Sequence, residues 1–313
     1  MNFLDKFFVA AALAVLASAG HAQRAYVTNE DSGSISIIDT AKDEVVGTIK
    51  VGAKPRGVGI AQGKLFVSDQ PANGLEVIDI AKGAAIDKIK LGESPEGVYA
   101  SSDGKWITAA VELGNSVAFI DAATHKKVFE VKVKGDNPEH AVFSPDGKWV
   151  YVSAEEAQQV DIIDVAARKQ VKQLEVGKRP RGIAFTPDSK VAYVACENSD
   201  VVVAIDTEKQ VVIKTIKAGA RSNGLTMHPN GKTVYVSNGR DASVMAIDTA
   251  SNEVTATIAV GKRPWNMAIT ADGKKLYVAN GRSNSVSVID TEAKKVVKEI
   301  AVGSVPWGVF IAP

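Results

Sequence analysis

One pattern of residues returns seven times along this chain, with a period of about 42 positions. Its clearest mark is an Ile-Asp pair, and successive pairs lie 40 to 43 residues apart. The seven pairs are Ile38-Asp39, Ile78-Asp79, Ile120-Asp121, Ile163-Asp164, Ile205-Asp206, Ile247-Asp248 and Ile289-Asp290. A repeat of this length that contains several short strands has the period of a β-propeller blade. It therefore predicts one ring of blades, although a length of 313 residues alone would suggest two domains.

Each repeat predicts four short strands. In the fifth unit, residues 182–185 and 192–195 form the first two strands, with the turn sequence Pro-Asp-Ser-Lys between them. Residues 201–206 and 211–216 form the third and fourth strands. These runs are bounded by turn residues and are rich in β-branched side chains, as strands are, and helical spacing is absent.

The two ends of the chain predict how the ring closes. Residues 25–28 match the second strand of a repeat, and residues 307–311 match the first strand. Neither end makes a complete blade, but together they supply one, and closure would remove the exposed sheet edges that promote aggregation. The sequence thus predicts an all-β, seven-bladed propeller of four-stranded blades, formed as a single domain by residues 23–313.

Residues 1–22 have the features of a secretory signal peptide. Residues 7–19 form an apolar run that is too short to span a bilayer, and small residues, Gly20 and Ala22, precede the expected cleavage site before Gln23. We therefore expect export to the periplasm, with an uncleaved anchor as the alternative. No second apolar stretch follows, so no membrane insertion is expected after cleavage.

Charge and cysteine content exclude several classes of protein. The formal net charge of +1 gives no overall attraction to nucleic acid or to an anionic membrane, so neither partner is expected. The single cysteine, Cys196, cannot form an intramolecular disulfide or a cysteine-based zinc site. Two interpretations of this thiol stay open, a reactive group near the channel mouth or inert packing.

Several second strands resemble a known repeat. Their sequences are Tyr26-Val27-Thr28-Asn29, Tyr235-Val236-Ser237-Asn238 and Tyr277-Val278-Ala279-Asn280. They resemble the YVTN repeat of bacterial and archaeal propellers over essentially the whole chain after residue 22. The last blade and its Pro306-Trp307-Gly308 ending are most similar to periplasmic propeller proteins associated with PQQ-dependent alcohol oxidation. That resemblance implies an accessory role and supplies no catalytic residues.

Candidate binding residues are found where the repeats differ from one another. In a propeller the first strand of each blade lines the central channel, and the loops before it and after the second strand form one face. Functional sites are expected where blades depart from their common pattern. The candidate ligand- or partner-binding residues in these loops are Arg56, Glu96, Glu112, Glu139, His140, Glu155, Arg181, Glu197, Asn223, Arg240, Trp265, Asn266, Arg282 and Trp307. His140 and Asn266 replace a glycine that would let the strands crowd at the axis.

The order of charges around the ring predicts an acidic arc that faces a basic, aromatic arc. Such a mouth would suit a dipolar ligand or a partner of mixed charge, and the alternative is a set of solvated loop tips. Trp265 and Trp307 follow prolines in neighbouring blades. As exposed rings they would suit a flat organic ring, a sugar or a protein contact, and the alternative is packing between blades.

The chain carries little catalytic chemistry. Only His140, among four histidines, falls at the channel mouth, which is too few ligands for zinc or iron. A hard cation held by Glu96, Glu139 and Glu155, and an acid–base pair of Glu139 with His140, stay open. No covalent-haem motif, nucleophile elbow or phosphate loop occurs. We therefore expect no cofactor, no metal and no catalytic residue.

These observations favour a periplasmic binding or docking module that is accessory to PQQ-linked, quinoprotein alcohol oxidation. The expected partner is a periplasmic protein, such as a quinoprotein dehydrogenase or a cytochrome, or else a small molecule. The alternative is a metal-assisted propeller lyase or hydrolase that acts on a small molecule at the channel mouth. A third possibility is a subunit of a larger oxidoreductase whose cofactors lie on other chains.

Overall fold

The chain forms seven four-stranded antiparallel sheets, which confirms the predicted propeller. The computed structural model describes residues 23–312, so the predicted signal peptide lies outside the described residues. Within the described range, no helix has the length and apolarity needed to cross a bilayer. The blades are numbered I to VII in chain order, and the strands β1 to β28.

Blade I combines both ends of the chain, and blades II to IV follow it. Blade I contains β28 (Pro306–Ile311), β1 (Arg24–Asn29), β2 (Ser34–Asp39) and β3 (Glu44–Lys50). Blade II contains β4 (Val58–Ala61), β5 (Lys64–Asp69), β6 (Gly74–Asp79) and β7 (Ala84–Lys90). Blade III contains β8 (Pro95–Ala100), β9 (Trp106–Val111), β10 (Ser116–Asp121) and β11 (Lys126–Lys132). Blade IV contains β12 (Pro138–Phe143), β13 (Trp149–Ala154), β14 (Gln159–Asp164) and β15 (Lys169–Glu175).

The remaining blades keep the same order from the channel outwards. Blade V contains β16 (Pro180–Phe185), β17 (Val191–Cys196), β18 (Val201–Asp206) and β19 (Val211–Lys217). Blade VI contains β20 (Ser222–Met227), β21 (Thr233–Asn238), β22 (Ser243–Asp248) and β23 (Glu253–Ala259). Blade VII contains β24 (Pro264–Ile269), β25 (Lys275–Asn280), β26 (Ser285–Asp290) and β27 (Lys295–Ala301). The loops that precede the first strand and follow the second define the upper face, and the other turns define the lower face.

The repeated Ile-Asp pair has a structural role in every blade. The isoleucine is fully buried, as Ile247 is in blade VI. The aspartate ends the third strand, and its carboxylate accepts backbone N–H bonds from the following turn. Asp248, for example, accepts bonds from Ala250 at 3.1 Å and Ser251 at 2.8 Å. Hydrogen bonds of this kind hold the pKa of Asp248 below its usual value. The repeat thus marks core and turn positions and carries no functional signal.

The hydrophobic core lies between neighbouring blades. One cluster, for instance, joins Val27 and Ile38 of blade I to Tyr277 and Val288 of blade VII. The Tyr277 hydroxyl also donates to a blade I acceptor, the carbonyl of Thr40, at 3.3 Å. Because each blade buries its face against the next, no blade has a separate core.

Glycines allow the first strands to approach each other closely near the axis. A Cβ atom on Gly57 would lie 2.4 Å from the Glu96 carbonyl oxygen, and one on Gly97 would lie 2.4 Å from the Glu139 carbonyl oxygen. These distances are far below a van der Waals contact, so a larger residue would force neighbouring blades apart. The predicted crowding of glycine-containing strands is confirmed.

The last strand closes the ring by pairing with the first. Strand β28 runs antiparallel to β1, with Val309 opposite Val27 and Phe310 opposite Tyr26. The loops continue this contact, since the Glu30 N–H donates to the Val305 carbonyl at 2.9 Å. Closure thus depends on main-chain hydrogen bonds between the two ends of the chain.

We predict that deletion of residues 306–313 strongly destabilises the whole ring. It removes β28, exposes the edge of β1 and removes the buried Trp307 and Val309 side chains. Losing one buried tryptophan alone costs about 3–5 kcal/mol, so the Tm should fall by roughly 10 °C or more. The control deletion of residues 312–313 keeps β28 intact and should melt close to the full chain. Calorimetry of the three proteins checks this, and equal melting temperatures would contradict closure by β28.

Candidate functional site

The upper face is formed by one repeated bend in front of each first strand. In blades V, VI and VII, the residue at the bend is an arginine in the left-handed conformation: Arg179 with φ 58°, Arg221 with φ 61° and Arg263 with φ 56°. Two positions later, the chain enters the channel mouth. The residues at that position around the ring are Arg56, Glu96, Glu139, Arg181, Asn223, Trp265 and Trp307.

Arg181 is the centre of a buried ion network. Its Nη1 atom lies 2.5 Å from Glu139 and 3.0 Å from Glu155, and its Nε lies 3.7 Å from Glu197. The side chains of the three glutamates are at most 4% exposed. One guanidinium therefore contacts carboxylates from two neighbouring blades.

A second network lies at the mouth on blades I to III. Arg56 contacts Glu96 and lies 3.0 Å from Glu30 of blade I. The Gln70 amide donates to Glu96 at 2.8 Å. Nearby, the Ser94 hydroxyl donates to Glu112 at 2.5 Å. Charged groups on this side are therefore paired or hydrogen-bonded within the protein.

The expected separation of acidic and basic residues holds for part of the mouth, since buried glutamates lie on blades III to V and the arginines at the bends lie on blades V to VII. Sequence order placed Arg56 and Arg181 with the basic residues, but each lies among glutamates of its own or adjacent blades. The alternative of solvated loop tips is also wrong for Glu96, Glu139 and Glu197, which are buried. Long side chains reach across blade boundaries, so position around the ring does not predict which charges are paired.

Burial changes the protonation of two neighbouring groups. Desolvation raises the pKa of Glu139 to about 8. The positive charge of Arg181 lowers this pKa, and the nearby Glu155 and Glu112 carboxylates raise it. Desolvation and the Arg181 charge lower the pKa of His140 to about 3. Both side chains are therefore neutral near pH 7. They lie 3.7 Å apart at Glu139 Oε1 and His140 Nε2, which is longer than a hydrogen bond.

An aromatic group crosses the channel beneath these charges. The ring of His140 lies 5.9 Å from that of Trp307, nearly parallel, and Trp307 also stacks on Phe310. The Tyr99 hydroxyl lies 2.5 Å from His140 Nδ1. Towards the lower face, Tyr99 and Phe310 also line an apolar cavity of about 280 Å³. The aromatic group thus separates the charged mouth from an apolar channel.

The two candidate tryptophans differ in their environments. The prediction that Trp307 is exposed is wrong, because it is 4% exposed and packs in the aromatic group. Trp265 is half-buried, with its ring against Gly281 and the Arg263 guanidinium 5.7 Å above it. Among the described residues, the buried Trp265 Nε1 atom has no hydrogen-bond partner. Trp265 alone is therefore placed to contact a ligand.

Other candidate residues at the mouth are buried polar groups. Asn223 is 2% exposed, and its Nδ2 has no hydrogen-bond partner within residues 23–312. The Nε2 atom of His140 also has no hydrogen-bond partner within these residues. Asn266 is half-buried and lines the apolar cavity beside Met267. Asn223 and His140 thus offer unused hydrogen-bonding capacity near the axis.

A basic depression lies on the upper face of blades V to VII. We call it the arginine pocket, and its volume is about 620 Å³. The residues that line it are Arg179, Glu197, Arg221, Gly239, Arg240, Ala242, Lys262, Arg263 and Arg282. The structure thus brings together the predicted residues Glu197, Arg240 and Arg282. Arg179 and Arg221 were missed, although a search for arginines spaced 42 residues apart would have found them with Arg263.

The structure gives little support to a reactive Cys196 thiol or to a cation site formed by Glu96, Glu139 and Glu155. Cys196 is fully buried in the core, and desolvation raises the pKa of its thiol to about 12, so the inert interpretation holds. No group of three or more His, Cys, Asp or Glu in residues 23–312 is arranged to hold a metal ion. In particular, Glu96, Glu139 and Glu155 contact arginines.

Fold and site together define a seven-bladed β-propeller with a charged channel mouth. The family model described as "Lactonase, 7-bladed beta-propeller" matches residues 164–307, and the model described as "YNCE-like beta-propeller" matches residues 100–188. Each covers less than half of the chain. No curated protein sequence matches significantly.

Solved structures from several organisms have the same fold. Hydrazine synthase of Kuenenia stuttgartiensis is 23% identical with a TM-score of 0.78, and the match covers 85% of this chain and 92% of that one. A functionally unknown protein of Desulfotomaculum acetoxidans is 17% identical with a TM-score of 0.81, covering 92% and 98%. Dihydro-heme d1 dehydrogenase NirN, in complex with DHE, is 14% identical with a TM-score of 0.71, covering 92% and 75%. At these identities the similarity establishes the fold alone.

We predict that Glu139 makes the stability of the protein decrease as pH rises. Its pKa is about 8 in the folded chain and 4.5 ordinarily, so between these values the native state binds a proton that the unfolded state has lost. The free energy of unfolding therefore falls across this window, by up to roughly 1.4 kcal/mol per pH unit. Glu139→Gln should remove this decrease when urea unfolding is measured at about pH 5, 6, 7 and 8.

The control for this measurement is Glu156→Gln, which changes an exposed carboxylate in the same loop region. It should keep the wild-type pH dependence. His140 acts with the opposite sign, because a pKa of about 3 in the folded chain makes stability increase up to its ordinary value of 6.5. If the free energy of unfolding changes with pH in the same way for wild type and Glu139→Gln above about pH 6.5, the buried, neutral state of Glu139 is contradicted.

Proposed function

We propose that this protein is a binding module that recognises an anionic partner through the arginine pocket on its upper face. The observation that carries this proposal is an excess of cationic groups at the pocket. Arg240 and Arg282 are exposed at its edge and form no ion pair within residues 23–312, whereas most glutamates of the mouth are already paired. An acidic partner would supply the missing counter-charges and would be attracted at long range.

Binding accounts for the mouth better than catalysis does. Glu139 is buried against Arg181, and His140 Nδ1 lies against the Tyr99 hydroxyl. Neither group meets a nucleophile or a group of metal ligands within the described residues. A closed ring also holds its loops rigidly, and rigid loops lose little conformational entropy when they bind a partner.

The cellular setting that we propose comes from the sequence. The signal-peptide features of residues 1–22 favour the periplasm, and residues 23–313 would form the exported propeller domain. The YVTN-like motifs and the Pro306-Trp307-Gly308 ending favour an accessory role in PQQ-linked alcohol oxidation. The partner would then be a quinoprotein dehydrogenase or a cytochrome with an acidic surface.

The experiment that tests this function is partner capture from a periplasmic extract of the native host. Tagged mature protein should recover a dehydrogenase or a cytochrome, identified by mass spectrometry. Arg240→Glu with Arg282→Glu reverses two exposed charges at the pocket edge. At about 1 kcal/mol for each lost contact, recovery should fall roughly tenfold or more.

The matched control reverses two exposed lysines at the lower face. Lys169→Glu with Lys295→Glu changes the net charge by the same amount at the start of two fourth strands. This variant should recover the partner as well as wild type does. Equal loss in both variants, or capture that neither affects, would contradict recognition through the arginine pocket.

A second candidate function is hydrolysis of a lactone or ester, favoured by the family model that matches residues 164–307. Neutral Glu139 could then act as a general acid, with a divalent ion bound at the mouth. If binding is the function, purified protein should hydrolyse simple lactones no faster than buffer does, with or without Mg²⁺, Ca²⁺ or Mn²⁺. Metal-dependent turnover that Glu139→Gln abolishes would establish the hydrolase instead.

A further inference from the structure

The charge of the arginine pocket arises from a change in the repeat. At the position that follows the second strand, blades I, III, IV and V carry Glu30, Glu112, Glu155 and Glu197. Blades VI and VII carry Gly239 and Gly281 at this position. Blade II carries Gln70 there, so three blades lack the carboxylate, and only the two glycine-containing blades add an arginine one residue later, Arg240 and Arg282.

The two glycines also make room for the cationic side chains. A Cβ atom on Gly239 would lie 3.0 Å from Arg263 Nη1, and one on Gly281 would lie 2.9 Å from the Trp265 ring. Any larger residue would displace the guanidinium or the indole. The replacement thus removes negative charge and gives the pocket its depth.

Glu197 is the only carboxylate that lines the pocket among the described residues. Arg179 Nε lies 3.2 Å from it, Arg263 Nη2 lies 2.9 Å from it, and Arg221 Nη1 lies 3.8 Å from it. Glu197 is 1% exposed. Glu155 also pairs with Arg179, and the Asn198 side-chain oxygen accepts from Arg221 Nη1 at 2.5 Å. These acceptors are still fewer than the N–H donors of three guanidinium groups.

The edge of the pocket adds three more cations, Arg240, Lys262 and Arg282. With the three inner arginines, six cationic side chains face one lining carboxylate, a net charge of +5. Two aspartates just outside the lining accept backbone N–H bonds, and their negative charges offset part of this excess. Asp200 accepts the Arg221 N–H at 2.8 Å, and Asp241 accepts the Ala220 N–H at 2.7 Å.

We propose that the arginine pocket binds a small organic anion that carries at least two carboxylate or phosphate groups. One anionic group would contact the inner arginines beside Glu197, and the second would contact Arg240 and Arg282. Guanidinium forks bind both kinds of group through paired N–H bonds. The volume of about 620 Å³ lies within the range of small-molecule sites. The Trp265 ring lies 5.7 Å from the guanidinium of Arg263, which lines the pocket.

Calorimetric titration of the mature protein with citrate and with pyrophosphate tests this proposal. We expect one binding site for at least one of the two, and the tighter probe distinguishes a carboxylate ligand from a phosphate ligand. Acetate, which carries one carboxylate, should bind at least about tenfold more weakly because it loses the second set of charged contacts. Acetate that binds as well as citrate and pyrophosphate would overturn the proposal.

Arg240→Gln with Arg282→Gln tests where the anion binds. Both side chains are exposed, so the melting temperature should stay unchanged. Affinity should fall about tenfold or more. The matched control, Lys169→Gln with Lys295→Gln, should bind like wild type. Equal weakening in both variants, or no binding by wild type, would overturn the proposal.

A short glutamate peptide serves as the final probe, because the proposed function concerns an acidic partner at the same face. Tight binding of the peptide without binding of citrate or pyrophosphate would overturn the small-anion proposal and leave the docking function intact. Anion binding without partner capture from the periplasmic extract would support the small-anion proposal and contradict docking. The two proposals rest on the same pocket but fail separately.

Discussion

Pairing of β28 with β1 is the interaction on which the rest of this structure depends. Hydrophobic faces in a propeller are buried only between neighbouring blades, so an open ring would expose a face at each end as well as two strand edges. The closing strand also supplies part of the site, since Trp307 lies on β28 and stacks against His140 of blade IV. Contacts across the channel, such as this one, require that all seven blades are in place.

Buried charge is the second constraint, and it acts against stability. Moving Arg181, Glu155 and Glu197 out of water costs several kcal/mol per ion, and such networks often stabilise a protein less than apolar packing would. Apolar clusters between neighbouring blades supply stabilising burial that acts against this cost. Arg181 is paired within this network, whereas Arg240 and Arg282 at the outer edge form no ion pair within residues 23–312.

The sequence predicts the fold of this protein much better than its site. Blade number, strand positions and ring closure follow from a repeat that marks core isoleucines and turn aspartates, and each of these is a local property. Side-chain pairing at the mouth is not local, because Arg56 crosses from blade II to Glu96 of blade III and to Glu30 of blade I. The exposure of Trp307 was misjudged for a related reason, since its burial depends on His140 of blade IV, which is distant in the sequence. Arg179 and Arg221 could have been found, because their spacing of 42 residues is visible in the repeat itself.

The arginine pocket illustrates how a repeat protein can acquire a site without disturbing its fold. The left-handed bend before the first strand recurs in all seven blades, at Lys54, Ser94, Asn137, Arg179, Arg221, Arg263 and Val305. The bend fixes the backbone, and its side chain points to the upper face without contributing to the core, so its identity is free to vary. Blades V, VI and VII carry arginine at this bend. In blades VI and VII, the residue that follows the second strand is glycine, where blade V has glutamate. Neither of these positions belongs to a hydrophobic cluster between the blades. Positive charge could therefore accumulate on blades V to VII while the packing between the blades remained the same.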